Sequence, residues 1–298
     1  MCPACDGGRS TSGRGESGRG PSVGTTGARA GTHREDGKTY QEDDETYRED
    51  DETRRERSRH VNYALIFAGG TGQRMNTKTR PKQFLELYGK PILLYTIEVF
   101  ENHPGIDGIA VVCLEDWIPF LKKKLAHYDI TKVIDVVPGG VTGQESIRRG
   151  LDALESMVGR DNTVLVHDGV RPLVSDETIS ACLASVAAHG NAVSVTPAIE
   201  TIVQEEDGTV TNIIDRSACR LAKAPQCFNI GELIDAHDRA RVEGEEGFID
   251  SASLMRHYGH TLHTVETGPE NIKITTPSDF YIFRAFVDAR ESSEIFGF

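Results

Sequence analysis

Five short stretches of this chain collect residues suited to handling phosphate. The first is a glycine-rich turn, Ala68-Gly69-Gly70-Thr71-Gly72-Gln73-Arg74-Met75, directly after an apolar run. Glycines at such a turn let backbone N–H groups approach phosphate oxygens closely. The turn lacks the Gly-Lys-Ser/Thr of a P-loop, and Met75 stands where a dinucleotide fingerprint needs its third glycine. Two cations follow, Arg74 inside the turn and Lys82 in Pro81-Lys82-Gln83-Phe84, placed to neutralise a triphosphate. A further stretch, Gly139-Gly140-Val141-Thr142-Gly143-Gln144-Glu145-Ser146, opens a helix. It is either a plain strand-to-helix connection or a loop from which Ser146 donates to a base or ribose.

The run Val164-Leu165-Val166-His167-Asp168-Gly169-Val170-Arg171-Pro172 sets Asp168 at the carboxyl end of a buried strand. Open α/β sheets bind ligands at that edge, and a carboxylate there can share Mg²⁺ with the phosphate oxygens of a nucleotide. His167 reads as structural because the hydrophobic strand continues through it. Arg171 either pairs locally or touches a phosphate. In the last stretch, Glu270 to Pro277, Lys273 alternates with Ile272 and Ile274, so it is either exposed at a strand end or aimed into a polar cleft.

Elements that hold these residues can be read from apolar periodicity. Continuous apolar runs over Tyr63–Phe67, Ile109–Cys113, Lys132–Val137, Thr163–His167 and Ala192–Thr196 predict buried strands. Helical spacing predicts helices over Pro91–Glu101, Trp117–His127, Gln144–Leu154 and Asp176–His189. Strand and helix alternate, so the expected fold is α/β: a mostly parallel sheet with helices on both faces. Glu200–Ile214 reads as two strands around Asp207-Gly208, a hairpin signal. A hairpin projecting from such a sheet makes a dimerisation arm, over about 199–222. The final helical pattern, Thr276–Glu291, carries Phe280, Phe283, Phe286 and Val287 and is expected to pack back on the sheet.

Composition sets limits on partners. The 298 residues carry 33 Lys+Arg against 46 Asp+Glu, a net charge of −13, which disfavours nucleic acid or an anionic membrane as partner. Residues 1–60 hold nine apolar residues and a repeated Thr-Tyr-(Gln/Arg)-Glu-Asp-Asp-Glu unit. So polar a segment buries too little surface to offset its ordering entropy, and a disordered tail is expected ahead of one domain, 61–298. Cys2 and Cys5 have metal-ligand spacing, but no second pair lies nearby to complete four ligands. No apolar run approaches the ~20 residues of a membrane span and no secretory signal opens the chain, so the expected location is cytoplasmic. The four other cysteines, at 113, 182, 219 and 227, fit reduced core thiols.

In order and spacing, these motifs over Val61 to Glu291 resemble the cytidylyltransferases that couple CTP to a polyol phosphate. The resemblance implies a Rossmann-like three-layer fold of the nucleotide-diphospho-sugar transferase type and a Mg²⁺-dependent attack of a substrate phosphate oxygen on the α-phosphorus of CTP. By the same resemblance Ala68, Gly69, Gly70, Thr71 and Gly72 would cradle the triphosphate, and Arg74, Lys82 and Lys273 would stabilise charge at the reacting phosphates. Asp168 would hold the metal, while Gly140 and Ser146 would help recognise cytidine. Thr201 and Arg216 would grip the polyol phosphate across a homodimer joined by the arm, with Arg171 also on the substrate.

Within that family two features distinguish this chain. Methylerythritol-phosphate enzymes usually carry His-Asp-Ala-Ala-Arg-Pro and Thr-Pro-Gln, where His167-Asp168-Gly169-Val170-Arg171-Pro172 and Ala224-Pro225-Gln226 stand here. The doubled glycine and Val170 lean toward ribitol 5-phosphate as acceptor, with 2-C-methyl-D-erythritol 4-phosphate as the alternative. A catalytically silent nucleotide-binding module is the rival of a different class.

Overall fold

The computed structural model describes residues 61–70, 80–245 and 247–296. The tail with Cys2, Cys5 and the repeat, and the loop residues Thr71, Gly72 and Arg74, lie outside the described residues. β1 (Asn62–Ala68) leads through a small ribbon, β2 (Glu86–Leu87) and β3 (Lys90–Pro91), into α1 (Ile92–Asn102). The alternation continues with β4 (Gly108–Cys113), α2 (Ile118–His127), β5 (Val133–Pro138), α3 (Gly143–Val158) and β6 (Thr163–Asp168). α4 (Asp176–His189), β7 (Ala192–Pro197) and the hairpin β8 (Ile202–Glu206) and β9 (Thr209–Ile214) come next. The chain then runs through β10 (Arg220–Asn229), α5 (Ile230–Glu243), α6 (Ser251–His257), β11 (Thr264–Glu266) and α7 (Pro277–Phe296).

The main sheet has seven strands in the order β11-β7-β10-β6-β1-β4-β5. Every pairing is parallel except those of β10, which runs antiparallel to both β6 and β7. Successive side chains of a strand point to opposite faces, and that alternation divides the core into two layers. Ala64, Ile66 and Ala68 of β1 join Leu93, Ile97 and Phe100 of α1 and Leu121 of α2. Leu65 between them joins Leu151 of α3, Leu233 of α5 and Leu254 of α6. The mostly parallel, three-layer α/β expectation therefore holds.

α3 approaches the sheet most closely at Gly150, where an added Cβ would lie 2.3 Å from Leu65 Cδ1 and 2.8 Å from Val112 Cγ2. Each helix that matters for the site starts on a side-chain cap: Thr142 accepts from Glu145 N in α3 and Asn229 from Glu232 N in α5. α6 opens with a reciprocal box between Asp250 and Ser253.

α7 differs from its expectation. Fully buried Phe283 packs with Leu87, Ile92, Val170, Leu173 and Ile274, so the helix docks on the β2–β3 ribbon and the loop after β6, not on the main sheet. Phe286 stays 38% exposed. The Asp207-Gly208 hairpin forms as expected, both turn residues having positive φ (49° and 78°). Among the described residues no helix is long and apolar enough to cross a membrane.

Candidate active site

Two glycine loops meet at the carboxyl edge of the parallel strands. Gly69, after β1, and Gly139, after β5, abut so closely that a Cβ on Gly139 would lie 3.4 Å from Gly69 Cα. Ser146 of α3 sits between them. Its Oγ accepts from Gly140 N at 3.0 Å and donates to Thr142 O at 2.9 Å. Both bonds stay within the loop, so in this arrangement Ser146 shapes the turn around Gly140 and its own proton is already given to a carbonyl. Gly140 admits no side chain there, since a Cβ would meet the Glu145 side chain at 2.4 Å.

The β1 loop is held from below by Gln83, which sequence reasoning passed over although it lies within the Pro81–Phe84 motif. Its Nε2 donates to Ala68 O at 2.6 Å and Gly70 O at 3.1 Å, and the residue is 1% exposed. Lys82 opens the same short 3₁₀ turn, Lys82–Phe84, which places it next to the glycine loop. It is not among the residues lining the cleft described next.

At the end of β6, Asp168 meets two cations. Lys273 Nζ lies 2.5 Å from its Oδ1, and Arg171 Nε lies 2.7 Å from its Oδ2. Burial opposes the charge on Asp168, but Lys273 and Arg171 outweigh it and hold the carboxyl below its ordinary range. The next residue sits close to its neighbours: a Cβ on Gly169 would lie 2.8 Å from Leu93 Cδ1 and 2.9 Å from Ala68 Cβ, so a side chain there requires these to shift. His167 is structural, as its place in the strand implies. It is fully buried against Phe100, with Nε2 3.1 Å from Arg171 O. Burial chiefly pushes its pKa down to about 4, so it is neutral and donates from Nε2 to that carbonyl.

Lys273 is aimed into the cleft and not exposed at a strand end. Residues 267–274 form a crossing, with a turn at 269–270, that is tied down by tertiary bonds: Thr267 N donates to Val195 O at 2.8 Å and Ile274 N to Val170 O at 2.9 Å. Buried Asn271 adds a bond from Nδ2 to Ala224 O at 2.7 Å. Its own carbonyl accepts from Arg171 Nη1 at 3.0 Å and from Lys223 Nζ at 3.1 Å. Lys223, half-buried on β10, is the cation sequence reasoning missed. No local motif marks it; the only signal was its position just before Ala224-Pro225-Gln226. Burial, followed by repulsion from Arg171, lowers its pKa from the ordinary lysine value.

Asp168, Arg171, Lys223 and Lys273 line one cleft of about 340 Å³, which reaches from Thr142 and Gly143 at the start of α3 to the start of α6; Gly69, Gly70, Gly140 and Ser146 stand outside its lining. Gln226 ties the far wall together, donating to Asp250 Oδ2 at 2.9 Å and accepting from Ala252 N at 2.8 Å. Thr201 and Arg216 are not brought here. Both lie on the exposed arm, with Arg216 Nη1 donating to Ile199 O at 2.6 Å. Among the described residues no three His, Cys, Asp or Glu side chains form a metal-binding group.

Comparisons with known proteins show the family to which the chain belongs. The family model described as IspD, 2-C-methyl-D-erythritol 4-phosphate cytidylyltransferase, matches residues 62–289. The chain is 49% identical over 238 residues to a ribitol-5-phosphate cytidylyltransferase of Vibrio parahaemolyticus, covering 80% of this chain and 100% of that one. It is 39% identical over 227 residues to a 2-C-methyl-D-erythritol 4-phosphate cytidylyltransferase of Syntrophotalea carbinolica, covering 76% of this chain and 96% of that one. Among solved structures it is similar to the 2-C-methyl-D-erythritol 4-phosphate cytidylyltransferase of Thermus thermophilus, with a TM-score of 0.62 at 29% identity over 77% of this chain and 100% of that one. Since the match runs from the first strand into the last helix and takes in both glycine loops, Asp168 and Lys273, the chain belongs to the IspD family of cytidylyltransferases and is a nucleotidyltransferase.

Proposed function

We propose that this enzyme transfers CMP from CTP to D-ribitol 5-phosphate, releasing pyrophosphate and forming CDP-ribitol. The acceptor assignment is carried by the 49% identity to a ribitol-5-phosphate cytidylyltransferase over that protein's whole length, against 39% for a methylerythritol-phosphate relative. An oxygen of the acceptor's ionised phosphate attacks the α-phosphorus. The bond from that phosphorus to the bridging oxygen breaks, and pyrophosphate leaves with the electron pair. No proton has to move, so the work of the protein is positioning and charge neutralisation.

In this reading the backbone from Ala68 to Gly72 cradles the triphosphate, and the Gly140–Ser146 loop faces cytidine. Arg74, Lys82 and Lys273 neutralise the phosphates, and Asp168 keeps Lys273 and Arg171 oriented. The donor set also fits Mg²⁺ of one kind. Both oxygens of Asp168 already hold cations, so a metal here would be bound chiefly by nucleotide phosphates and water, with Asp168 as its protein partner only on release of one of those pairs. Such an ion would supply further neutralisation of phosphate charge. The arm is read as the dimer contact, carrying Thr201 and Arg216 toward the acceptor of a second copy.

The decisive measurement is pyrophosphate release from CTP with ribitol 5-phosphate, 2-C-methyl-D-erythritol 4-phosphate and related polyol phosphates, with and without a chelator. Turnover should require divalent metal and favour ribitol 5-phosphate at least about tenfold in kcat/KM, a difference of ~1.4 kcal/mol. Equal or better use of methylerythritol phosphate would overturn the acceptor assignment.

A further inference from the structure

Lys223 stands out in the cleft because its ammonium makes no close ion pair, Glu270 attracting it only at longer range. Asp168 is shared by Lys273 and Arg171. Lys223 Nζ instead donates to two neutral carbonyls, Asn271 O at 3.1 Å and Pro269 O at 3.2 Å. Among the described residues no carboxylate lies within ion-pair distance of it. An ammonium has three donors, so the carbonyls fix the direction of Nζ while leaving one N–H, and the whole charge, for something else. Three cations, Arg171, Lys223 and Lys273, thus line the cleft against two carboxylates, Asp168 and Asp250, an excess of positive charge that an anionic ligand would satisfy. Ala224, next along β10, offers no polar side-chain atom.

Position decides which anion this is. In the strand order β10-β6-β1-β4-β5, the glycine loops follow β1 and β5, whereas Lys223 lies on β10, beyond β6. Adjacent strands are about 4.8 Å apart, so β10 lies roughly two strand spacings from the loop after β1. In phosphoryl transfer the attacking and leaving oxygens lie roughly in line across the phosphorus. If pyrophosphate departs on the β1 side, the attacking phosphate approaches from the β10 side.

We propose that Lys223 is the cation that binds the acceptor's phosphate, a specificity-determining residue on the opposite side of Asp168 from the nucleotide loops. The assignment rests on the cytidylyl-transfer reading above. Burial and then Arg171 lower the pKa of the Lys223 amine, with Glu270 opposing them in part, which fits a cation that lacks a close carboxylate until that phosphate arrives.

The test uses the full chain and the variants Lys223→Gln and Lys223→Arg, with CTP and ribitol 5-phosphate varied separately. Glutamine keeps a donor for the two carbonyls and removes the charge. It should raise KM for ribitol 5-phosphate by about ten- to a hundredfold, as expected for loss of a charged hydrogen bond, while KM for CTP changes less than about twofold. Lys223→Arg should keep the acceptor KM within about threefold of the parent. An acceptor KM unchanged in Lys223→Gln overturns the assignment. So does a fall in kcat with a matching rise in KM for CTP, the pattern of a residue that only props up the crossing that carries Lys273. Calorimetric CTP binding by the same variants separates misfolding from loss of the acceptor contact. A parent enzyme without turnover on any polyol phosphate would overturn the functional reading, and this assignment with it; an active parent with an indifferent Lys223→Gln overturns this assignment alone.

Discussion

Between Asp168 and Phe100, His167 occupies a position with no access to water, and its single proton is donated to Arg171 O. That bond holds the backbone whose next turn presents Arg171 to Asp168, so the imidazole serves the site without touching a substrate. Burial is the main cause of its low pKa of about 4, against an ordinary 6.5, and His237 on α5 is lowered to the same value, first by burial and then by Arg148. Between these two pH values the unfolded chain binds protons that the folded chain refuses. The stabilisation is therefore complete above pH 6.5 and is lost as pH falls toward 4. Each histidine should account for about 2 kcal/mol of lost stability between pH 7.5 and pH 5. Denaturant unfolding of the parent and of His167→Leu at the two pH values checks this: the variant should show a smaller fall by about that amount. An equal fall in both would mean that His167 is not held neutral in the folded state.

The elements show how far local pattern reaches. Gly150 lets α3 lie directly on β1 and β4, and the glycine loops meet only if that helix keeps its depth. In Gly150→Val the branched side chain would enter space held by Leu65 Cδ1 and Val112 Cγ2. Overpacking of this kind should cost about 2–3 kcal/mol and lower Tm by roughly 4–10 °C, read by calorimetry, with KM for CTP rising as the α3 loop shifts. A melting curve superimposable on the parent's would refute the close approach. The strands β1, β4, β6 and β7 were legible because each is largely buried and so reads as an apolar run, while the edge strand β5 was legible from its valines and isoleucine although only Val136 is buried. β10 was not. Its first residues, Arg220–Ala222, are exposed, Pro225 interrupts it, and its register shifts between Ala222 and Gln226, so no period of two survives. α5 could have been found from Asn229 as cap and from Ile230, Leu233, Ile234 and His237 at helical spacing. The crossing at 267–274 could not, because its path is set by bonds to Val195, Val170 and Ala224, distant in sequence. That explains the uneven legibility of the site. Asp168, Lys273 and the glycines sit in motifs, whereas Lys223 acquires its role only through the crossing.

At the scale of the molecule, a chain of net charge −13 carries a cleft lined by three cations and two carboxylates. Global charge and local charge therefore make different statements, the first about unsuitable partners and the second about phosphate. The arm adds a question of assembly. Val203, Val210 and Ile213 are 46%, 53% and 67% exposed on a two-stranded hairpin, and a lone hairpin is marginally stable in water unless its apolar side chains are covered. A second copy supplies that cover in the proposed dimer. Because Thr201 and Arg216 lie on the arm, outside the cleft of their own chain, the proposed dimer would also be the route by which they reach an acceptor. Ile213→Asp places a charge in that contact, far from the cleft, and should shift the enzyme toward monomer in sedimentation analysis. The folded sheet should be unaffected, with Tm within about 2 °C of the parent, as for surface changes worth about 0.5 kcal/mol. Turnover per chain should fall at least tenfold, about 1.4 kcal/mol, at concentrations where the parent is dimeric, and the loss should appear mainly in KM for the acceptor. A monomeric Ile213→Asp with full activity would remove the arm from the catalytic unit and leave Arg171, Lys223 and Lys273 of one chain as the complete phosphate site.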